Sequence, residues 1–314
     1  MATYLVTGGA GFIGSHLAEA LLKRGDRVRI LDNFSTGTRA NLAALSGAEI
    51  IEGDIRSYHI VREAVDGVHL VIHQAALPSV PRSVRDPITT NDVNVVGTLN
   101  VLTASRDARV ARLVYASSSS VYGPAAMLPT PESATVHPIS PYAVSKLAGE
   151  NYCRAFAELY GFETVTLRYF NVFGPRQSPL SQYAGVIPLF TRRLLQGQPP
   201  EVYGDGTQTR DFTYVENVVR ATLAACTASQ VTGRVFNVAA GSPISVLQLL
   251  EVLSEILATS LRAVFHPART GDVLHSHAAI DAAREALSYQ PGVSFREGLE
   301  RTVATLRGQP PERS

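Results

Sequence analysis

The sequence predicts an α/β protein: a doubly wound parallel sheet followed by a smaller α/β lobe. Three observations carry that prediction. Short apolar runs alternate with stretches of helical period as far as Tyr169, the pattern of repeated strand–helix–strand units. A glycine-rich turn, Gly8-Gly9-Ala10-Gly11, joins the first run to the first helix. Beyond Gly174-Pro175-Arg176 the alternation loosens, broken at Pro199-Pro200, Gly204-Asp205-Gly206 and Gly241-Ser242-Pro243. The expected division is therefore 1–175 for the sheet, 176–308 for the lobe and a frayed polar tail at 309–314, with a segment near 212–240 a candidate to return to the sheet.

Each element has its own signal. Tyr4-Leu5-Val6-Thr7 is a buried strand, and Phe12-Ile13-Gly14 opens a helix whose apolar face continues through Leu17, Leu21 and Leu22 to near Gly25. Val28 to Leu31 is the second strand, ending at Asp32, and Ile50 to Asp54 the third. His69 to His73 is the fourth, running into Gln74-Ala75-Ala76. Asn91 to Ala108 has helical spacing. Leu113 to Ala116 is the fifth strand, followed by Ser117 to Ser120. A helix from near Tyr142 to about Tyr160 leads to the sixth strand, Thr164 to Tyr169. In the lobe, helices are expected at Val186 to Gln196, Glu216 to Cys226 and Val246 to Leu257, and Val235 to Val238 is the strand that would rejoin the sheet.

Composition narrows the class. Of 314 residues, 45% are hydrophobic and 18% charged, as in a soluble globular protein. No apolar stretch is long enough for a membrane span, and the first strand begins where a leader would lie. A net charge of +1 argues against a nucleic-acid surface. Cys153 and Cys226 have neither metal spacing nor a disulfide framework, which fits a cytoplasmic protein without a metal site. Lys and Arg together number 28, yet only Lys23 and Lys146 are lysine. Arginine serves wherever a generic cation will do, so a retained lysine points to a need for a compact ammonium.

The chemistry starts at the glycine turn. Gly9, Gly11 and Gly14 fit G-x-G-x-x-G between a strand and a helix, the context of a dinucleotide fingerprint and of a Rossmann sheet. Gly8, Gly11, Phe12 and Ile13 are then candidate cofactor contacts, with the helix N-terminus turning its unpaired N–H groups to the pyrophosphate. Asp32 has the placement of the acid that accepts from an adenosine ribose, and it repels a 2′-phosphate, favouring NAD over NADP. A simple turn role also fits Asp32. The small Ala75 and Ala76 would let the cofactor lie against the backbone.

Tyr142 and Lys146 are four apart at a helix start and share one face, and serines end the fifth strand nearby. Tyr, Lys and Ser together make an acid–base device. A nearby ammonium would lower the phenol's pKa from near ~10, and the phenolate could take a proton from a sugar hydroxyl as hydride leaves the same carbon.

With Thr7-Gly8-Gly9-Ala10-Gly11-Phe12-Ile13-Gly14 and Tyr142-x-x-x-Lys146 on the page, the chain resembles the extended short-chain dehydrogenase/reductase family of nucleotide-sugar epimerases and dehydratases. The likeness covers almost the whole chain and is greatest to the 4-epimerases of UDP-glucose and UDP-N-acetylglucosamine. It rests on Ser117-Ser118-Ser119-Ser120-Val121-Tyr122-Gly123, Leu167 to Arg176, Gly204-Asp205-Gly206 with Arg210-Asp211-Phe212, and Arg269-Thr270-Gly271-Asp272. The resemblance implies NAD held through the cycle, a homodimer, and Ser118, Tyr142 and Lys146 as the catalytic set. It adds Asn33, Asp54, Ile55, Asn94 and Tyr169 to the cofactor contacts, and Ser119 and Ser120 to the substrate contacts. It places Asn171, Arg210 and Arg269 on a diphosphate, Asp272 on a ribose, and Val186 and Tyr203 at uracil. Arg210 and Arg269 taken singly also fit solvated surface charges. Many family members carry a lysine after the fourth strand, where this chain has Ala76-Leu77-Pro78-Ser79. Ser276, five residues after Gly271, falls at a wall of the sugar pocket and is small enough to admit an N-acetyl group. The expected activity is 4-epimerisation of UDP-hexoses through a transient 4-keto sugar. The rivals are a UDP-glucuronate 4-epimerase, a 4,6-dehydratase and a non-catalytic NAD sensor.

Overall fold

The computed structural model describes residues 1–124, 127–178, 185–268 and 274–308. The elements run β1 Thr3–Thr7, α1 Phe12–Lys23, β2 Arg27–Asp32, β3 Glu49–Glu52, α2 Tyr58–Val65, β4 Leu70–His73, α3 Val80–Arg85, α4 Pro87–Asn91, α5 Gly97–Asp107, β5 Arg112–Ser118, α6 Pro141–Tyr160 and β6 Glu163–Tyr169. The chain continues through β7 Val172–Phe173, α7 Val186–Leu195, β8 Glu201–Tyr203, β9 Thr209–Arg210, β10 Thr213–Tyr214, α8 Val215–Thr227, β11 Val235–Val238, β12 Ile244–Ser245, α9 Val246–Leu257, β13 Val264–His266, α10 Asp281–Leu287 and α11 Phe295–Arg307.

Seven strands form one sheet in the order β11-β6-β5-β4-β1-β2-β3, and every pairing is parallel. A parallel sheet needs cover on both faces, and neighbouring residues show it. Val6, Ile30 and Val114 pack with Leu17 and Leu21 of α1 and Val218 of α8. Leu5, Leu31 and Leu113, one residue away in each strand, pack with Val61 of α2, Leu102 of α5 and Phe156 of α6. A third core, with Phe173, Phe190, Leu249 and Leu299, builds the smaller lobe. The expected return strand is β11, in register with β6 from Val235↔Thr166 to Val238↔Tyr169.

Local chemistry sets the helix ends. Ser140 accepts from the Ala143 N–H at the start of α6, Pro141 follows it, and Gly161 ends the helix in the left-handed conformation. Ser245 and Gln248 cap α9 reciprocally. The single helix expected over 91–108 is instead α4, a π-helical turn at Asp92–Val96 and α5. Helical spacing does not register the wider turn, because the apolar face is kept through it. The third strand stops at Glu52, where Gly53 and Asp54 turn away. Among the described residues, no helix is long and apolar enough to cross a membrane.

Candidate functional site

The carboxyl ends of β1, β2, β4, β5 and β6 open into one cleft of about 1060 Å³. That is the top of the range for a single drug-sized ligand, and it lies where the strand order reverses around β1.

The glycine turn fits a dinucleotide. Gly8 takes φ +71, and a Cβ there would stand 2.7 Å from the Ala75 nitrogen. At Gly14 a Cβ would stand 2.2 Å from the Gly8 carbonyl oxygen, and at Gly9 it would strike Ile30. Gly8 therefore makes the turn, Gly9 packs on β2, and Gly11 and Gly14 let α1 start against the turn. No side chain caps α1, so its first N–H groups are available to a phosphate. Gly8, Gly11, Phe12 and Ile13 all line the cleft. Asp32 accepts from the Ala10 N–H at 2.9 Å and the Phe34 N–H at 2.8 Å. A carboxylate offers about four acceptor sites, so two remain for ribose hydroxyls. Asn33, Ile55, Ala75, Ala76 and Tyr169 also line the cleft.

Two expected cofactor residues, and the lysine of the expected catalytic set, do not line the cleft. Asp54 is engaged by Arg56 and by the Asn33 amide at 2.8 Å, and the Arg56 guanidinium holds its carboxyl down at about 2. Asn94 lies behind the cleft wall. Its amide accepts from the Leu77 N–H at 2.8 Å and donates to the Leu77 carbonyl at 3.2 Å and Ser145 Oγ at 3.0 Å. It ties the loop after β4 to α6 instead of reaching the cleft. Lys146 is also behind the wall, buried, with Nζ donating to the Ala116 carbonyl at 2.8 Å.

Ser118 and Tyr142 both line the cleft, with the serine close enough to act on the phenol. The expected lowering of the phenol by the ammonium is corrected here. Lys146 Nζ stands 6.0 Å from the Tyr142 ring centroid, and burial pushes the phenol up while the Ser118 side chain pulls it down. The lysine is perturbed as well, pushed down to about 8 by burial and held up by Glu150.

On the substrate side, Ser119, Ser120, Asn171, Arg210 and Ser276 line the cleft. Ser120 Oγ is buried without a hydrogen-bond partner. Asn171 Nδ2 donates to Ser276 Oγ at 3.4 Å and to the Asp211 carbonyl at 3.3 Å, so residues 105 apart in sequence meet at one wall. Val186 and Tyr203 do not line it. Val186 packs on the lobe core and its neighbour Gly185 reaches the cleft. Tyr203 stacks on His266, with centroids 5.1 Å apart. Arg269 and Asp272 lie outside the described residues.

Sequence reasoning missed a buried polar layer under the cleft. His73, 1% exposed, links Thr7 Oγ1 at 2.6 Å and Thr98 Oγ1 at 3.0 Å. Thr98 donates to the Asn94 carbonyl at 2.6 Å, so it must accept from His73 Nε2–H. Nδ1 then accepts from Thr7, whose oxygen accepts the Ala75 N–H at 3.3 Å. The signal was a histidine ending an apolar strand. Glu150 is the other omission, although its place four residues after Lys146 puts it on the same helix face.

Residues 4–239 match the model of the NAD dependent epimerase/dehydratase family. A protein of Methanocaldococcus jannaschii named putative UDP-glucose 4-epimerase is 39% identical, over 96% of this chain and 98% of its own length. The crystal structure of a UDP-glucose 4-epimerase from Thermotoga maritima with UDP-glucose superposes with a TM-score of 0.93 at 39% identity, covering 97% of this chain and 98% of that one. The UDP-N-acetylglucosamine 4-epimerase of Methanobrevibacter ruminantium M1, in complex with UDP-N-acetylmuramic acid, gives a TM-score of 0.95 at 37% identity, covering 98% of this chain and 99% of that one.

Proposed function

This chain belongs to the NAD dependent epimerase/dehydratase family, and from that premise we propose that it is a 4-epimerase of UDP-hexoses, an isomerase with no net redox change. The Ser118–Tyr142 pair in the cleft, with Lys146 behind it, is the observation that carries the reading. NAD, when bound, supplies the hydride acceptor and returns the hydride. Tyr142 takes the C4 hydroxyl proton and gives it back after the sugar has turned over. Ser118 holds the sugar oxygen toward the phenol. Lys146, with one N–H on the Ala116 carbonyl, keeps two donors.

Dehydration would need a carboxyl acid–base pair before the Tyr122-Gly123 exit of β5, and Ser119, Ser120 and Val121 stand there. Asn171, Arg210 and Ser276 are the proposed nucleotide-sugar contacts in the cleft; the family resemblance implies Arg269 and Asp272 as further contacts. The small Ser276 supports acceptance of N-acetylated sugars. A homodimer is part of the proposal. Ile88 at 74% exposure, Val84 at 63% and Val144 at 53% form an apolar strip across α3, α4 and α6, beside a groove lined by Pro87, Ile139 and Pro141. A cytoplasmic location fits the two unpaired cysteines.

The test is incubation with UDP-glucose, UDP-galactose, UDP-N-acetylglucosamine and UDP-glucuronate, with products resolved by proton NMR. C4 epimers of the neutral sugars are expected. A 4-keto-6-deoxy product, or turnover of the uronate alone, would overturn the reading.

A further inference from the structure

Glu150 is buried, does not itself line the cleft, and sits on or is bonded to each element that carries the acid–base set. It sits on α6, one turn after Lys146 and two after Tyr142. Its Oε1 accepts from Ser117 Oγ at 2.5 Å, and Ser117 immediately precedes Ser118 at the end of β5. The same carboxylate takes a two-pronged ion pair from Arg168 of β6, with Nε donating at 2.9 Å and Nη2 at 2.7 Å. Arg168 immediately precedes Tyr169 of the cleft wall. The Glu150 and Arg168 side chains are 5% and 6% exposed. Around them nothing is loose. Arg168 lies 4.6 Å over the Tyr122 ring and donates to the Glu132 carbonyl at 3.3 Å. A Cβ on Gly149 would strike the Tyr115 hydroxyl at 2.2 Å, so α6 is seated directly on β5.

We propose that Glu150 is a positioning residue for the reaction. One buried carboxylate fixes the ends of β5 and β6 against α6 and supplies the anion that keeps Lys146 an ammonium. The proposal rests on the assignment of Ser118, Tyr142 and Lys146 given above.

The physical reason is charge balance. Two cations, Lys146 and Arg168, are buried on either side of this carboxylate. The other titratable groups facing Lys146 are Tyr142 and Cys153 on α6, Tyr115 on β5, whose ring lies 5.2 Å from Nζ, and His73 on β4. The phenols and thiol are held neutral by burial, which raises their proton affinity, and His73 is held neutral by burial, which lowers its own. Glu150 is therefore the one anion in that set. A charged neighbour of opposite sign moves a titration by about 1–3 pH units. Removing Glu150 leaves Lys146 facing only Arg168, and the ammonium is lost at lower pH. Removing Arg168 instead leaves the carboxylate to Lys146 alone, and the ammonium survives to higher pH.

Those opposite signs make the test. Because the chain holds only Lys23 and Lys146, lysine labelled with 13C at Cε yields two signals, and Lys23, exposed and paired with Glu19, is the internal control. The full-length protein, wild type, Glu150→Gln and Arg168→Met, is titrated by NMR without substrate. The Lys146 midpoint should fall by about one unit or more in Glu150→Gln and rise in Arg168→Met, with Lys23 unmoved. The alkaline limb of kcat/KM should follow the midpoint in each variant. Midpoints that stay put, or move the same way in both variants, would overturn the proposal. If Glu150→Gln does not fold, Arg168→Met decides alone, a rise supporting and anything else refuting. The titration needs no sugar, so an error in the substrate assignment appears separately, as a wild-type protein that titrates as described but leaves the UDP-hexoses unchanged.

Discussion

Acid should weaken the protein through one histidine, and the size of the effect follows from its contacts. His73 accepts from Thr7 at Nδ1 and donates to Thr98 at Nε2. A second proton would have to go on Nδ1, against a hydroxyl already committed as donor there and as acceptor to Ala75. Burial holds the imidazole down at about 3, against ~6.5 in an unfolded chain. The folded state thus binds fewer protons than the unfolded state between those values, so stability is whole above about pH 6.5 and falls as the pH drops toward about 3. At ~1.36 kcal/mol per unit, the step from pH 7 to pH 5 removes about 2 kcal/mol through this residue. His73→Gln keeps an acceptor and a donor and cannot titrate. Urea unfolding of both proteins at the two pH values isolates the difference, since every other titrating group is shared. The wild type should lose about 2 kcal/mol more than the variant. Equal losses, or an imidazole proton signal for His73 titrating near ~6.5, would refute the assigned tautomer and its burial.

Other expectations concern the cleft. Tyr142→Phe should lower kcat by about 10²–10⁴-fold with NAD still bound, measured by epimer formation and by cofactor retention on gel filtration. Gly14→Ala forces a Cβ onto the Gly8 carbonyl and should abolish NAD binding in calorimetry, whereas Gly25→Ala, with no atom within 4 Å but φ +87, should cost only stability. Asp32→Ala should narrow the preference of NAD over NADP, read as the ratio of the two Kd values. Ser276→Tyr should suppress turnover of UDP-N-acetylglucosamine while sparing UDP-glucose, and equal losses on both would count against a pocket wall there.

The sheet was legible because each strand is short, apolar and ended by turn residues, and parallel strands buried on both faces need no alternation to be found. The glycine turn, Asp32 and the Tyr142/Lys146 pair stood out because the chemistry asks for those residue types at those spacings, whereas Ser118 was singled out among four serines only through the family resemblance. What the spacing did not convey is which polar atoms neutralise one another. Asn94 has the position of a cofactor ligand, yet its amide is used on Leu77 and Ser145, a choice made at the π turn. Tyr142 and Lys146 share a helix face, but the rotamer that sends Nζ to Ala116 depends on β5, which is distant in sequence. Tyr203 could not be separated from uracil stacking until His266 of β13 was found against it.

The order in which the chain reaches the sheet has a consequence for its birth on the ribosome. It leaves after β6, builds the first part of the lobe, and comes back with β11, which completes the sheet beside β6. About 70 residues separate the two strands, so at about 5–20 residues/s the β6 edge waits roughly 3–14 s for its neighbour. For that interval a nascent strand rich in Val, Thr and Leu presents an unpaired ladder, the kind of edge that recruits other chains. Yield in a fast-translating host should therefore depend on whatever shields that edge, and slowing translation after residue 238 should help less than covering β6 before it.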